Sequence, residues 1–408
     1  MWVDIPRKNR DFTDILCSIM HQLLKNRLLV VTFFMTFLYA LHYAIPLYAT
    51  SSYLHQYFNS SIISATYVVG SLLALIVSVN LAKTLRRFHS YNFAIGVIIA
   101  EMIVITLFGF VKNPFLLPPL FIIHFGLQLL LNVSLNIFIE SFSAHASIGS
   151  IRGLFLAILH LGILIAPLLG GMILSYTSFA MLYFIAALML VPYLFLVHKY
   201  LTHIKEPAYH TINLFEAMQR ALRNKNLRAV VLSKFIVESF YATMVIYSPI
   251  YLATLGIPLT SYLTFIIPIA LIPLVLLPYE LGVLADTKYG EKEMLIIGLL
   301  LLTVATFLCV IVTTKEIAIW AMILFLSRIG ASLVDTMSST YFFKKIGPED
   351  PSYTALFINM NPASTIAVGV VGIIVSPFLV ARPQLMFVIL GCAIAWSVTQ
   401  VLPLRDTR

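Results

Sequence analysis

Apolar residues run along this chain in long blocks, broken at short intervals by charge, glycine or proline. Twelve such blocks predict twelve helices long enough to cross a bilayer, since a spanning helix needs roughly 20 residues. They cover 28–50, 60–82, 91–111, 115–139, 151–175, 179–200, 228–254, 261–284, 293–313, 316–342, 353–380 and 384–403, numbered here as spans one to twelve. The eighth holds Pro268, Pro273 and Pro278, which predict kinks. A spanning helix tolerates such prolines where neighbours satisfy the freed carbonyls. Two segments between or before the blocks have apolar residues at helical spacing with charge on the rest, 11–26 and 211–226. Both predict helices lying on a membrane surface.

Composition agrees with this pattern. Of 408 residues, 60% are apolar and 11% charged, where soluble domains run near half apolar and a quarter charged. The pattern predicts an all-α membrane protein with no room for a sizeable extramembrane domain. Cys17, Cys309 and Cys392 are scattered and make neither a disulfide framework nor a metal site. The first 26 residues carry charges throughout, and the apolar run after them is too long for a signal peptide. No phosphate-cradling loop, zinc spacing or hydrolase elbow is present, so the sequence predicts no enzyme, no cofactor, no metal and no ATP drive.

The net charge of +9 would suggest nucleic acid in a soluble domain. Its distribution excludes that partner. With an even number of spans, 21 of the 26 Lys and Arg fall on the side of the two termini and three, Lys112, Lys315 and Arg382, on the other, while Lys234 and Arg328 lie within spans. The positive-inside rule then places both termini in the cytoplasm, beside anionic lipid. The expected setting is the inner cell membrane, crossed many times by a monomer.

The chain also repeats itself at half its length. AIPLYAT (44–50) resembles YSPIYLAT (247–254), LLKNR (23–27) resembles ALRNK (221–225), and LAKTLRRF (81–88) falls opposite LADTKYGE (284–291). The offsets, 203 residues for two of the pairs and 198 for the LLKNR pair, are each close to half the chain and divide it into an N-terminal segment 1–27, a six-helix half 28–200, a basic linker 201–227 and a second six-helix half 228–408.

Two motifs give this organisation a family. GVLADTKYGEK (282–292) carries Gly282, Asp286, Gly290 and Lys292 between spans eight and nine, one residue longer between Asp286 and Gly290 than the commonest form. In span five, Gly153, Gly162, Pro167, Gly170 and Gly171 follow an antiporter-like spacing. With topology and repeat, these residues resemble the major facilitator superfamily of secondary transporters over roughly residues 20–405. The resemblance implies two six-helix halves rocking about a central site. It implies that the 282–292 loop latches the halves, with Gly282 allowing close helix contact and Asp286 facing a helix N-terminus. The first-half copy, 81–90, has Lys83 at the aspartate position and lacks the glycine. The span-five pattern is associated in the family with proton-coupled export.

The remaining charges sit where they are costly. An ionisable group at mid-bilayer costs about 2.5–3.5 kcal/mol on the insertion scale. Glu238 lies about 11 residues into span seven, Arg328 about 12 residues into span ten at similar depth, and Asp335 seven residues further on. They are expected to face a central cavity, with Arg328 meeting an anionic or polar group and Glu238 or Asp335 carrying a proton. A buried ion pair between spans seven and ten is the structural alternative. Span four presents His124, Gln128, Asn132, Asn136 and Glu140 every four residues, near one helix face. This stripe either lines the cavity or bonds to neighbouring helices. His42 and His160 can titrate near neutral pH. Glu101 in span three calls for a partner or a proton, and Lys234 is expected to reach for the interface. Tyr39, Tyr43, Tyr48, Tyr247 and Tyr251 either stack on a substrate or pack the core.

The expectation is alternating-access transport of a small molecule in a lipid bilayer, with proton-coupled efflux by antiport as the first reading and the proton gradient as its energy source. Import by symport or uniport is the second, and a non-transporting receptor the third.

Overall fold

In a computed structural model, the chain is described over residues 27–142, 148–202, 213–346 and 351–404. The described residues are helical throughout, and eleven helices are long and apolar enough to cross a membrane. The twelfth, Leu385–Val401, has 17 residues, about 26 Å at 1.5 Å per residue, close to the hydrocarbon thickness. Spans two to five are Ser60–Phe88, Ser90–Phe110, Leu117–Phe142 and Ile148–Tyr176. Spans nine and ten are Glu291–Ile311 and Ile317–Ile346. All twelve expected spans are present, with shifted ends.

Four spans are interrupted, and the interruptions have local causes. Span one runs Arg27–Leu47 and resumes at Thr50–His55; span seven runs Lys225–Ile246 and resumes at Ser248–Thr254. The breaks sit at corresponding points of the two halves, beside Pro46 and Pro249. Proline cannot donate to the helical ladder, and the carbonyl of Pro46 takes the hydroxyl of Thr50 at 2.8 Å. Span six divides at Met189 and span eleven at Asn359, into Pro351–Ile358 and Met360–Leu379. Pro362 has no N–H for the carbonyl of Ile358, which accounts for the second break.

Span eight needs more room. Its π-turns, Tyr262–Ile266 and Ala285–Tyr289, flank the proline-rich segment Ile267–Leu284. The second π-turn absorbs the extra residue of the 282–292 motif: Gly290 donates to the carbonyl of Ala285, five residues back, at 3.1 Å. Gly290 then turns with φ +82°, a left-handed conformation natural to glycine. Gly282 does not make the close helix contact expected of it, because a Cβ there would meet open space. In the first half His89 takes the place of Gly290 and still turns at φ +58°, ψ +149°. The glycine is lost and its backbone is kept.

The halves meet through span two against span eleven and span five against span eight. We call the side bearing Arg27 and Leu404 the terminal face and the other the far face. Inter-half contacts are tight in the far part of the spans. A Cβ on Gly369 would lie 3.0 Å from the carbonyl of Ser64, and one on Gly372 would lie 2.7 Å from Ser64 Oγ and collide with the Tyr247 hydroxyl of its own half. That hydroxyl already meets Ser64 Oγ at 2.7 Å. Gly171 leaves no space between span five and the backbone of Thr264, 2.9 Å from where its Cβ would stand. Ser51 Oγ donates to the carbonyl of Val245 at 3.3 Å.

The linker helix Leu214–Arg223 begins at Asn213, whose side chain accepts from the Glu216 amide. Ala217 and Ala221 are buried, whereas Phe215 and Leu222 are exposed on the outside. An outward apolar pair suits a helix lying at a membrane surface. The helix expected over 11–26 lies outside the described residues.

Two predictions follow from these backbones. His89→Gly relieves about 1–3 kcal/mol of strain against about 0.5–1 kcal/mol of added chain entropy, so the thermal-unfolding midpoint should rise by roughly 1–2 °C, and His89→Ala should not raise it. Gly372→Leu should hold the far ends of spans two and eleven apart, read as a longer spin–spin distance between labels on those ends in lipid.

Candidate functional site

A cavity of about 290 Å³ lies between the halves. Spans one, two, four and five supply most of its wall, and span eleven closes it from the second half with Ile358, Asn361 and Pro362. The break in span eleven at Asn359 brings these residues to the cavity: unwound backbone beside a midplane site is how spanning helices present polar groups. Tyr39 and Tyr43, stacked at 6.1 Å between ring centroids, form one wall with Tyr67, Phe121 and Phe125. His124, Gln128 and Asn132 form the polar stripe expected from span four. Asn136, one turn on, instead donates to the carbonyl and Oδ1 of Asn132 at 2.8 and 2.9 Å, and Asn132 donates to the Tyr39 hydroxyl at 3.2 Å. The stripe therefore divides into three lining residues and one support. The side chains of Glu140 and Asp286 and the surroundings of Gly153 lie outside the described residues. Asn361 and Ile358, in the part of span eleven nearer the terminal face, are exposed.

Behind the stripe sits a cluster that the linear sequence shows only in pieces. Glu101 of span three is fully buried, and its Oε1 accepts from His124 Nδ1 at 2.5 Å and from Gln128 Nε2 at 3.1 Å. His42 Nε2 of span one is 3.3 Å from the same oxygen, while His42 Nδ1 donates to the carbonyl of Ala186 in span six at 2.9 Å. Spans one, three and four thus meet at one carboxylate, whose Oε1 has two donors, and span six is tied in through His42.

The second half holds a separate network. Lys234 does not reach for the interface as expected. Its ammonium lies 2.7 Å from Glu238 Oε1 and 2.6 Å from Asp335 Oδ1, and 5.3 Å from the centre of the Phe357 ring. The i,i+4 spacing of Lys234 and Glu238 was the sequence signal for this pairing. Glu238 is tied to the cavity through Asn361, which donates to its Oε2 at 2.8 Å. Asp335, nearer the terminal end of span ten, has 36% of its side chain exposed.

Arg328 departs from expectation. It is fully buried, and its three guanidinium nitrogens have no hydrogen-bond partner. The guanidinium lies over Phe240 at 4.8 Å and Tyr241 at 5.7 Å, with neither Glu238 nor Asp335 on it. The expected ion pair between spans seven and ten is real, but Lys234 makes it.

Of the five tyrosines offered for stacking, Tyr39 and Tyr43 line the cavity. Tyr48 packs edge-on to Tyr262, Tyr247 bonds Ser64, and Tyr251 packs on Trp320 and Phe387. The span-five glycines serve packing: a Cβ on Gly170 would lie 2.8 Å from the carbonyl of Ile45, and Gly162 seats against Ala40 of span one. Asn361 and Tyr67 were not singled out from sequence, because neither belongs to a periodic stripe. A larger cavity, about 830 Å³, lies outside the inter-half cleft, between the linker helix, span seven and span twelve, with Lys225 and Arg228 on its rim. Among the described residues no group of His, Cys, Asp and Glu is placed to hold a metal ion.

The comparison with known families decides the kinship. The model of the Major Facilitator Superfamily matches residues 32–370. The chain belongs to the Major Facilitator Superfamily. Solved structures share the fold. The nucleoside transporter NupG is 16% identical with a TM-score of 0.74, covering 93% of this chain and 99% of that one. A POT family transporter in complex with 5-aminolevulinic acid is 14% identical, TM-score 0.74, covering 92% and 96%. A bacterial homolog of the human lysosomal transporter Spinster, in an inward-facing and occupied conformation, is 12% identical, TM-score 0.67, covering 92% and 93%. No curated protein matches the sequence. As a superfamily member the chain is a membrane transporter of a small molecule and not an enzyme.

The charge network of this superfamily chain makes one prediction. Removing one partner of a buried ion pair strands the other charge, at about 3–5 kcal/mol. Lys234→Met should therefore lower the unfolding midpoint in detergent markedly, and adding Glu238→Gln should recover part of the loss.

Proposed function

We propose that the chain carries a small polar solute bearing a flat ring across the membrane by alternating access, coupled to protons. The observation that supports this is the cavity itself. Stacked Tyr39 and Tyr43 and the rings of Tyr67, Phe121 and Phe125 offer flat apolar walls, and Gln128, Asn132, His124 and Asn361 converge on them with hydrogen-bonding groups. Its volume is near the lower end for small-molecule sites. A nucleoside or nucleobase has this shape and polarity, and the likeness to NupG favours that class.

Placing the termini in the cytoplasm, on the charge asymmetry of the loops, makes the tightly packed far face external. The membrane is then the inner cell membrane, and the unit is a monomer, each half completing the site of the other. No cofactor is needed, since the proton gradient supplies the energy. The span-five pattern favours export by antiport as the direction. The polar lining of the cavity and the likeness to a nucleoside transporter favour the second reading, import by symport.

Purified protein in liposomes loaded with unlabelled uridine or adenosine should exchange it for labelled solute from outside. Asn361→Leu and Asn132→Leu should each raise the half-saturating concentration about tenfold, the worth of one good hydrogen bond. An acidic lumen should drive accumulation if the exchange is antiport, and an acidic exterior if it is symport. Absence of exchange across a panel of nucleosides and nucleobases would overturn the solute class.

A further inference from the structure

We propose that the coupling proton is held by the cluster of Glu101, His42 and His124 in the first half, and not by Glu238 or Asp335. This rests on the reading of the chain as a proton-coupled transporter and assigns the site within it. The argument starts from burial. Glu101 has no exposed surface, whereas 36% of the Asp335 side chain is exposed. Water can support the charge of Asp335, and Lys234 supports both it and Glu238. Around Glu101 no lysine or arginine is within ion-pair distance among the described residues. Its negative charge can be met only by a proton on one of two imidazoles or on the carboxylate itself, because an isolated buried carboxylate is costly.

Of the tyrosines on the spans packed around it, Tyr39, Tyr67, Tyr183 and Tyr193 are buried. The cations of those spans, Arg27 of span one, Lys83, Arg86 and Arg87 of span two and His198 and Lys199 of span six, stand near the terminal ends of their helices, and the ion pairs of Glu101 are with His42 and His124. The cluster therefore has two natural charge states, −1 with both imidazoles neutral and 0 with one imidazolium, and moving between them takes up or releases one proton.

The geometry supplies the route. His124 lines the cavity and uses Nδ1 on Glu101, which leaves Nε2 as the nitrogen for the cavity. A proton arriving by water through the cavity binds His124 Nε2, while Nδ1–H stays on Glu101 Oε1. No covalent bond other than N–H forms or breaks.

Gln128 links the second imidazole to the cavity. Its Nε2 is 2.7 Å from His42 Nε2, and because an amide nitrogen only donates, this orientation of the amide goes with an unprotonated His42 Nε2. Two buried acceptors, Glu101 Oε2 and Gln128 Oε1, have no hydrogen-bond partner, so the cluster as it stands is short of protons. Turning the Gln128 amide over ends its own donation to Glu101 Oε1 and puts its Oε1 against His42 Nε2, which can then carry a proton shared with that carboxylate oxygen, 3.3 Å away. Gln128 also lines the cavity. A solute bonded to Gln128 or His124 touches the proton site directly, which is the differential contact that coupling requires.

The test uses the proton alone as the probe. Full-length protein in liposomes on a solid-supported membrane is given a pH jump, and the transient current of proton binding is recorded. The wild type should give a saturable transient. Glu101→Gln should lose it, Glu101→Asp should restore part of it, and Glu280→Gln should leave it intact. Because Glu101 also joins spans one, three and four, His124→Gln provides a second variant and should lose the transient too, with folding checked by size-exclusion elution. A transient that survives in both Glu101→Gln and His124→Gln, or is absent from the wild type, overturns the assignment. So does loss in Glu238→Gln or Asp335→Asn with retention in Glu101→Gln. Solute exchange separates this proposal from the reading beneath it. A Glu101-dependent transient without uridine or adenosine exchange sinks the solute class and upholds the proton site. Exchange in a protein whose transient ignores Glu101 does the reverse.

Discussion

Hydrocarbon offers a charge no hydration, so each ionised side chain inside this bundle must be met by another group of the chain. Most of the internal organisation follows from that constraint. In the second half the answer is one ammonium between two carboxylates, Lys234 with Glu238 and Asp335. In the first half it is two imidazoles and an amide around Glu101. Each arrangement fixes which helices can be neighbours: spans seven and ten in one case, spans one, three and four in the other. Arg328 is the exception, with aromatic faces under its guanidinium and no hydrogen-bond acceptor.

The two halves share a plan and differ in chemistry. The breaks beside Pro46 and Pro249 occupy equivalent places, and His89 keeps the left-handed turn that Gly290 makes in the other copy. The charged clusters do not correspond in this way. His124 and Arg328 fall within one residue of each other in the repeat, yet one faces the cavity and the other is sealed in the core. Backbone geometry has outlasted the side-chain roles built on it.

The fold is readable because membrane helices announce themselves by length and hydropathy, and twelve such runs stand in the sequence. The span-four stripe was readable for the same reason, as periodicity on one element. What could not be read was convergence between elements. His42, Glu101 and His124 lie on three different spans, and no spacing links them. Lys234 and Glu238 did carry a local signal at i,i+4, and the expectation that Lys234 would snorkel outranked it because depth alone was considered. Gly282 was assigned a helix contact from its motif, but whether a glycine is crowded depends on a neighbour that the motif does not contain.

The Lys234 network has a consequence for the movement of the halves. All three of its charged members belong to the second half, as the members of the Glu101 cluster all belong to the first. When the halves tilt against each other, neither set of ions has to be pulled apart. The bonds that separate at the far face are of another kind: a tyrosine and a serine hydroxyl, a serine on a carbonyl, and glycines against backbone. Such contacts re-form with water at little net loss. No ion pair between described side chains joins the two halves, so parting the far-face contacts strips no charge of its partner there.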